Sequence, residues 1–146
     1  MGERGHRASL ATWLAEAVYA QGRFGEALRL TEEAETLGGL DDYEVQGRWR
    51  ATKAKLLARR GQFPAATRLA EEAVTQIPAT IDPPERAEFL LARAEVSRLY
   101  GALDEAEACA RRALQFYEDR QMVPLAEQAR ALIDSLAAQC RTPAQQ

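Results

Sequence analysis

The side chains best suited to chemistry in this sequence form a run of cations. Between residues 48 and 60 the chain has six basic residues and no acidic one, namely Arg48, Arg50, Lys53, Lys55, Arg59 and Arg60. Three of them, Arg48, Lys55 and Arg59, are spaced seven and then four residues apart. That spacing places them on one face of an α-helix, where they would attract a carboxylate or another anionic group.

The other reactive side chains favour structural roles. His6, the one histidine in the sequence, has no nearby cysteine or carboxylate at a metal-ligand spacing. Cys109 falls on the apolar side of a predicted helix, where a buried thiol behaves as a small hydrophobe. The acidic pairs Glu32-Glu33 and Glu71-Glu72 stand at equivalent positions of two helices, which is typical of a solvated face. We therefore expect no catalytic residue, no metal site, no cofactor and no enzymatic activity.

A turn-and-helix unit that occurs three times must position these side chains. Its glycines, Gly22, Gly61 and Gly101, are 39 and then 40 residues apart, a period typical of stacked repeats. Alanines recur seven residues before, five after and twelve after each glycine. They are Ala15, Ala54, Ala94, Ala27, Ala66, Ala106, Ala34, Ala73 and Ala113. Because small residues let neighbouring helices approach closely, each unit is predicted to be a helical hairpin.

Propensity and periodicity both favour helices throughout the chain. Alanine fills 29 positions and β-branched residues are few, so we expect an all-α fold without a sheet. The predicted hairpins cover residues 8–38, 42–78 and 84–120, and a capping helix covers 123–139. The first helix is predicted to begin at Ala8. Together these elements, about seven helices, form one domain over residues 1–140, followed by a flexible tail over 141–146.

The repeated unit resembles the tetratricopeptide repeat, in which a glycine, an aromatic residue and alanines stand at fixed offsets. Gln21-Gly22-Arg23-Phe24-Gly25-Glu26-Ala27 matches that pattern most closely, and Pro78 stands where the family places its repeat-ending proline. The resemblance implies a right-handed α-α superhelix with a concave groove lined by the first helix of each hairpin. Lys53 and Arg93 depart from the pattern, since the family usually has leucine there.

Four segments carry a more specific resemblance, to the C-terminal helical repeats of large bacterial signalling ATPases. They are Tyr19-Ala20-Gln21-Gly22-Arg23, Leu30-Thr31-Glu32-Glu33-Ala34, Lys53-Ala54-Lys55-Leu56-Leu57-Ala58-Arg59-Arg60-Gly61 and Leu69-Ala70-Glu71-Glu72-Ala73. Many of these proteins begin with a cyclase-like domain followed by an ATPase domain. The resemblance implies that the chain is a regulatory or interaction segment related to such a protein.

The resemblance also predicts which side chains line the groove. They are Thr12, Trp13, Glu16 and Tyr19 from the first helix, Arg48, Thr52, Lys55 and Arg59 from the third, and Glu88, Leu91, Glu95 and Arg98 from the fifth. Such a groove is aromatic at one end, basic in the middle and mixed at the other end. Two interpretations stay open: the cations bind a peptide or protein segment, or they are solvated and pair with Glu16, Glu88 and Glu95 across the helices.

Composition narrows the classes of partner. The 146 residues include 19 basic and 22 acidic ones, giving a net charge of −3, so nucleic acid is not expected as a partner. No apolar run is long enough to cross a membrane, and the first residues lack the apolar core of a secretory signal, so a cytoplasmic protein is expected. The leading expectation is a non-catalytic module for protein–protein interaction. The alternatives are a small-molecule sensor or enzyme with a site between hairpins, and a self-association module that forms a homodimer or a stack.

Overall fold

The computed structural model describes residues 2–141, which form seven α-helices. They are α1 (Gly2–Ala20), α2 (Phe24–Leu37), α3 (Tyr43–Arg59), α4 (Phe63–Thr75), α5 (Pro84–Tyr100), α6 (Leu103–Asp119) and α7 (Val123–Arg141). No strand occurs within residues 2–141, so the predicted all-α class is confirmed. The predicted flexible tail lies outside the described residues, except for its first residue, which ends α7.

The first helix is longer than predicted. It begins at Gly2, whereas the repeat pattern placed its start at Ala8. The additional turns run beside α2, where an Arg7 nitrogen lies 3.8 Å from a Glu33 carboxylate oxygen. His6 therefore belongs to the helix and not to a segment before it, and its side chain is exposed.

Each predicted hairpin contains the same tight turn. Gly22, Gly61 and Gly101 have φ angles of 79°, 77° and 94°, a left-handed conformation that costs a residue without Cβ little. The amide after each glycine donates to the carbonyl five residues earlier, at 2.9 to 3.0 Å. This bond satisfies a carbonyl at the end of the preceding helix and fixes the angle at which the next helix starts.

A fourth turn of the same kind joins α6 to α7, although no glycine marks it. Gln121 occupies the left-handed position with φ 57°, and the amide of Met122 donates to the carbonyl of Tyr117 at 2.9 Å. The glycine pattern could not reveal this turn because a glutamine stands in the glycine position. The predicted capping helix, α7, is therefore joined to α6 by the same kind of turn that connects the two helices of each hairpin.

The alanines at the repeat offsets set the distance between helices. All nine have no exposed surface. The helices pack in a regular order: α1 on α2, α3 on α4 and α5 on α6, while α1 contacts α3 and α3 contacts α5. The second helices also pack on the hairpin or helix that follows, in the pairs α2–α3, α4–α5 and α6–α7. The predicted helix–helix seams are thus present.

One close contact between α3 and α5 was not predicted. A Cβ atom added at Gly47 would lie 2.1 Å from a ring carbon of Phe89, far inside contact distance. The ring is 1% exposed, so it has little room to move away. Gly47 is therefore required for packing, since its own backbone conformation is ordinary helix.

Exchanging single glycines for alanine tests the turn geometry. Gly61→Ala should lower the free energy of unfolding by about 1 kcal/mol, because alanine is strained at φ 77° although there is space for its Cβ. Gly25→Ala in α2 is the matched control: the added Cβ also meets nothing within 4 Å, but the backbone is helical. It should raise stability by about 0.5–1 kcal/mol. Urea unfolding measures both, and equal effects would contradict the assigned turn.

Candidate functional site

Most of the side chains predicted to line a groove meet on one surface of the protein. We call it the three-helix surface, since its residues come from α1, α3 and α5. They are Glu16, Tyr19, Arg48, Lys55, Arg59, Glu88, Glu95 and Arg98. Ionic and hydrogen-bonding contacts between these side chains cross α3 and join α1 to α5. The surface is therefore a connected polar network rather than a row of independent charges.

Arg48 is the centre of the first half of this network. One of its Nη atoms lies 3.1 Å from a Glu16 oxygen and 3.0 Å from a Glu88 oxygen, and its Nε lies 3.2 Å from Glu44. Its guanidinium carbon also lies 4.0 Å from the centre of the Trp13 ring. Three carboxylates thus share one cation, leaving this half of the surface with excess negative charge.

The prediction that Arg48 lines an open basic groove is wrong. Its side chain is only 3% exposed, so a partner has almost no access to it. The alternative interpretation, pairing across the helices, describes Arg48 and Arg59 better, although Arg48 is buried and not solvated. Burial raises the pKa of the Glu88 carboxyl, and Arg48 offsets only part of that effect.

Tyr19 is the centre of the second half of the network. Its hydroxyl donates to a Glu95 oxygen at 2.8 Å and accepts from Nε of Arg59 at 2.7 Å. Burial is the main reason that its pKa rises to about 12, with Glu95 adding to the effect. The neutral phenol therefore bridges α1, α3 and α5 at physiological pH.

Two of the predicted groove residues do not reach the surface. Thr12 and Thr52 are each 1% exposed, so both side chains are buried between the helices. The hydroxyl of Thr12 donates to the carbonyl of Ser9 at 2.7 Å and so is satisfied within its own helix. Neither side chain is available to a partner. Trp13, by contrast, is 51% exposed.

The open part of the surface is a cavity of about 300 Å³ between α3, α5 and α7. Its walls are Lys55, Glu88, Leu91, Ala92, Glu95, Arg98 and Leu132. Sequence reasoning did not include Leu132, because no local pattern in α7 indicates that this helix reaches the same surface as α3. Glu44 was also missed, although its position four residues before Arg48 is a signal for an ion pair within a helix.

Lys55 differs from the other cations of the three-helix surface. Its Nζ lies 4.5 Å from the centre of the Tyr19 ring, and it makes no ion pair with any residue from 2 to 141. Arg48 and Arg59 are engaged by carboxylates, and Arg98 lies 3.9 Å from Glu95. The positive charge available to a ligand in the cavity is therefore that of Lys55.

The other potentially reactive residues, Cys109 and the acidic residues of the second helices, take part in helix packing and in ion pairs between helices. Cys109 is 4% exposed in the α6 seam, and burial raises the pKa of its thiol. The second-helix acids pair with neighbouring helices, as in the contacts Glu71–Arg93 at 3.2 Å and Glu72–Arg50 at 3.4 Å. Within the described part of the chain, no group of three or more histidine, cysteine or acidic side chains is arranged to hold a metal ion. None of the seven helices is both long and apolar enough to span a bilayer.

No protein-family model matches the sequence, and no curated protein matches it either.

Replacing Arg48 tests whether it holds together α1, α3 and α5, the first helices of the three hairpins. Arg48→Met keeps much of the side-chain volume but leaves Glu16, Glu44 and Glu88 facing one another. We expect the free energy of unfolding at pH 7 to fall by about 2–3 kcal/mol, below the full cost of breaking a buried pair because the carboxylates are partly exposed. The loss should shrink towards pH 4. Glu88 already has a raised pKa, so the folded variant gains stability when this carboxyl binds a proton.

Urea unfolding across that pH range measures the effect. Arg29→Met is the control, because Arg29 is exposed on α2 and its replacement should change stability by no more than about 0.5 kcal/mol. A loss for Arg48→Met that is the same at both pH values would contradict a role in neutralising the carboxylates.

Proposed function

We propose that this chain is a tetratricopeptide-like repeat module that binds a polypeptide segment and has no catalytic role of its own. In this proposal its helix pairs wind as a right-handed superhelix, and the module serves recognition or regulation, as in the bacterial signalling proteins whose repeats it resembles. The observation that carries the binding proposal is the cavity beside Lys55, where an unpaired cation adjoins an apolar wall.

Three features support the repeat architecture. The left-handed glycines recur at a spacing of 39 and 40 residues, and the same alanine offsets are fully buried in every hairpin. Each hairpin also packs on the next one through both of its helices, for the first helices contact one another and each second helix contacts the following first helix. Stacked repeats bury their apolar faces in this way.

The proposed binding site is narrower than the predicted groove. The polar network of Arg48 and Tyr19 already fills the surface between α1 and α5, so an extended segment would find its contacts occupied there. The cavity on the α5 and α7 side is open and is large enough for one or two side chains. Binding is therefore assigned to the surface around Lys55, Leu91 and Leu132.

The walls of the cavity indicate the chemistry of the ligand. Leu91, Ala92 and Leu132 offer apolar contact, while Lys55 can form a charge-assisted hydrogen bond with a carboxylate. Glu88 and Glu95 also line the cavity, but their close contacts are with Arg48 and Tyr19, and neither forms an ion pair with Lys55. The ligand that fits is a peptide segment with an apolar side chain next to an acidic residue or a C-terminal carboxylate.

Nucleic acid fits this surface poorly. A phosphate backbone that followed the three-helix surface would pass from Lys55 and Arg98 onto the carboxylates around Arg48. Binding of a polyanion needs several cations that release counterions, and here most of the cations are already paired.

Selection from a library of short random peptides displayed on phage tests the proposal. We expect the immobilised protein to enrich peptides that combine a large apolar residue with an adjacent acidic one. Synthetic versions should bind the wild type with micromolar affinity and should weaken at least tenfold against Lys55→Glu/Arg98→Glu, since the carboxylate then meets like charge. Isothermal titration calorimetry of the synthetic peptides measures the affinity of each variant.

The matched control is Arg29→Glu/Arg112→Glu, which makes the same change in charge at exposed positions of α2 and α6. This variant should bind the selected peptides as tightly as the wild type. Equal weakening by both variants would show a non-specific charge effect, and peptides released only by the control variant would assign recognition to the second helices. Either result would overturn the proposal, as would failure to enrich any peptide.

A further inference from the structure

An apolar face at the N-terminal end of the helix stack has no covering element among residues 2–141. Leu10 and Leu14, one helical turn apart on α1, are 52% and 49% exposed. With Arg7, Ala11, Leu30 and Glu33 they line a shallow cleft of about 170 Å³ between α1 and α2. We call this surface the α1 face. None of the residues that line this cleft lines the Lys55 cavity, whose walls come from α3, α5 and α7.

Comparison of the repeats shows that the α1 face is built for helix packing. The residue 39 positions after Leu10 is Trp49, and 40 positions further stands Phe89. Both aromatic side chains are buried, at 5% and 1% exposure, against the hairpin that precedes them. Trp49 packs with Ala34 of α2, and Phe89 packs with α4. Leu10 therefore occupies the position that the buried residues Trp49 and Phe89 occupy in the later repeats, but its own side chain is exposed to solvent.

The opposite end of the stack does not complement this face. The exposed side of α7 is mostly polar, with Glu127, Gln128, Ala131, Asp134 and Ser135. If copies stacked head to tail, the two leucines would be buried against charged and hydrogen-bonding groups without partners. Head-to-tail association is thus disfavoured on the chemistry of the two ends.

The α1 face does complement a second copy of itself. Glu3, Arg7, Leu10, Leu14, Ala17 and Gln21 follow one another at spacings of four and three residues and so form a single stripe along α1 and its end. When two such stripes run antiparallel about a two-fold axis, Leu10 of each copy lies opposite Leu14 of the other. The two leucine pairs then form the centre of the contact, as an isologous interface requires.

The charges on either side of the leucines match in the same arrangement. In this register Arg7 of one copy lies opposite Ala17 of the other. Glu26 of that other copy is next to Ala27, which clusters with Ala15 and Val18 of α1, and it already pairs with Arg23 of its own chain, so Arg7 becomes its second cation. Glu3 reaches the other end of α1, where Arg23 is exposed. Because the two-fold axis repeats both contacts, the rim of the dimer holds four pairs of opposite charge, two between Arg7 and Glu26 and two between Glu3 and Arg23. A parallel arrangement would instead place Arg7 beside Arg7.

We propose that two copies of this chain form a two-fold dimer through antiparallel α1 helices, with Leu10 and Leu14 at its centre. The dimer leaves the Lys55 cavity of each copy open, so the two proposals stand or fall separately. Two copies held in this way present two identical peptide sites, and a partner with two matching segments would bind with avidity.

Sedimentation equilibrium of the full chain in reducing buffer tests the dimer. The mass of the wild type should rise from one to two chains as the concentration increases from micromolar to millimolar. Leu10→Glu/Leu14→Glu should remain a monomer over that range with an unchanged helical circular dichroism spectrum. Leu40→Glu is the control, because Leu40 is 91% exposed outside the α1 face and its replacement should leave the dimer intact. A monomeric wild type, or a dimer that survives the double change, overturns the proposal.

Mixing two single variants tests the antiparallel register. Leu10→Lys and Leu14→Glu should each be monomeric alone, since each places a charge against leucine twice. Mixed, they should form a heterodimer in which the introduced lysine lies opposite the introduced glutamate and the two remaining leucines still meet. Native mass spectrometry distinguishes the heterodimer by its mass, and higher salt should weaken it. Homodimers of either variant, or no heterodimer on mixing, would overturn the proposed pairing.

Discussion

The close approach of the helices is the constraint on which the rest of the structure depends. Alanine at the three repeat offsets removes side-chain volume where helices cross, and packing at full density then brings the backbones near to one another. At Gly47 the helices α3 and α5 approach even more closely, because a single methyl group there would collide with Phe89. With the first helices this close, polar side chains on α1 and α5 can meet across α3. The ionic network is therefore a consequence of the small residues beneath it.

That network changes what the cationic run on α3 can do. Taking Arg48 out of water is costly unless its charge is matched, and three carboxylates from three helices match it. The side chain that appears most suited to binding in the sequence is thus used to hold helices together. Lys55 makes no ion pair with residues 2–141, and its Nζ lies 4.5 Å from the centre of the Tyr19 ring, so its charge stays available for the proposed ligand.

The helical hairpins could be predicted from the sequence because their determinants are local. A glycine that must adopt a left-handed backbone and alanines at helical spacing are visible in one dimension, and the structure has both. The start of α1 and the turn at Gln121 were missed, since the first depends on contacts with α2 and the second lacks the glycine. The surface chemistry was harder to predict. Whether Arg48 is free or buried depends on acids from helices that are distant in sequence, and the cavity needs Leu132 from α7.

The bond between Tyr19 and Glu95 has a mechanical consequence. In most stacked-repeat proteins each unit contacts only its neighbours. Such an array is flexible along its length, and its units can unfold one at a time. Here a hydrogen bond of 2.8 Å joins the first hairpin to the third, 76 residues away in sequence. Movement of the first hairpin relative to the third must stretch this bond, so the contact couples the first hairpin directly to the third. We therefore expect the three hairpins to lose their structure together.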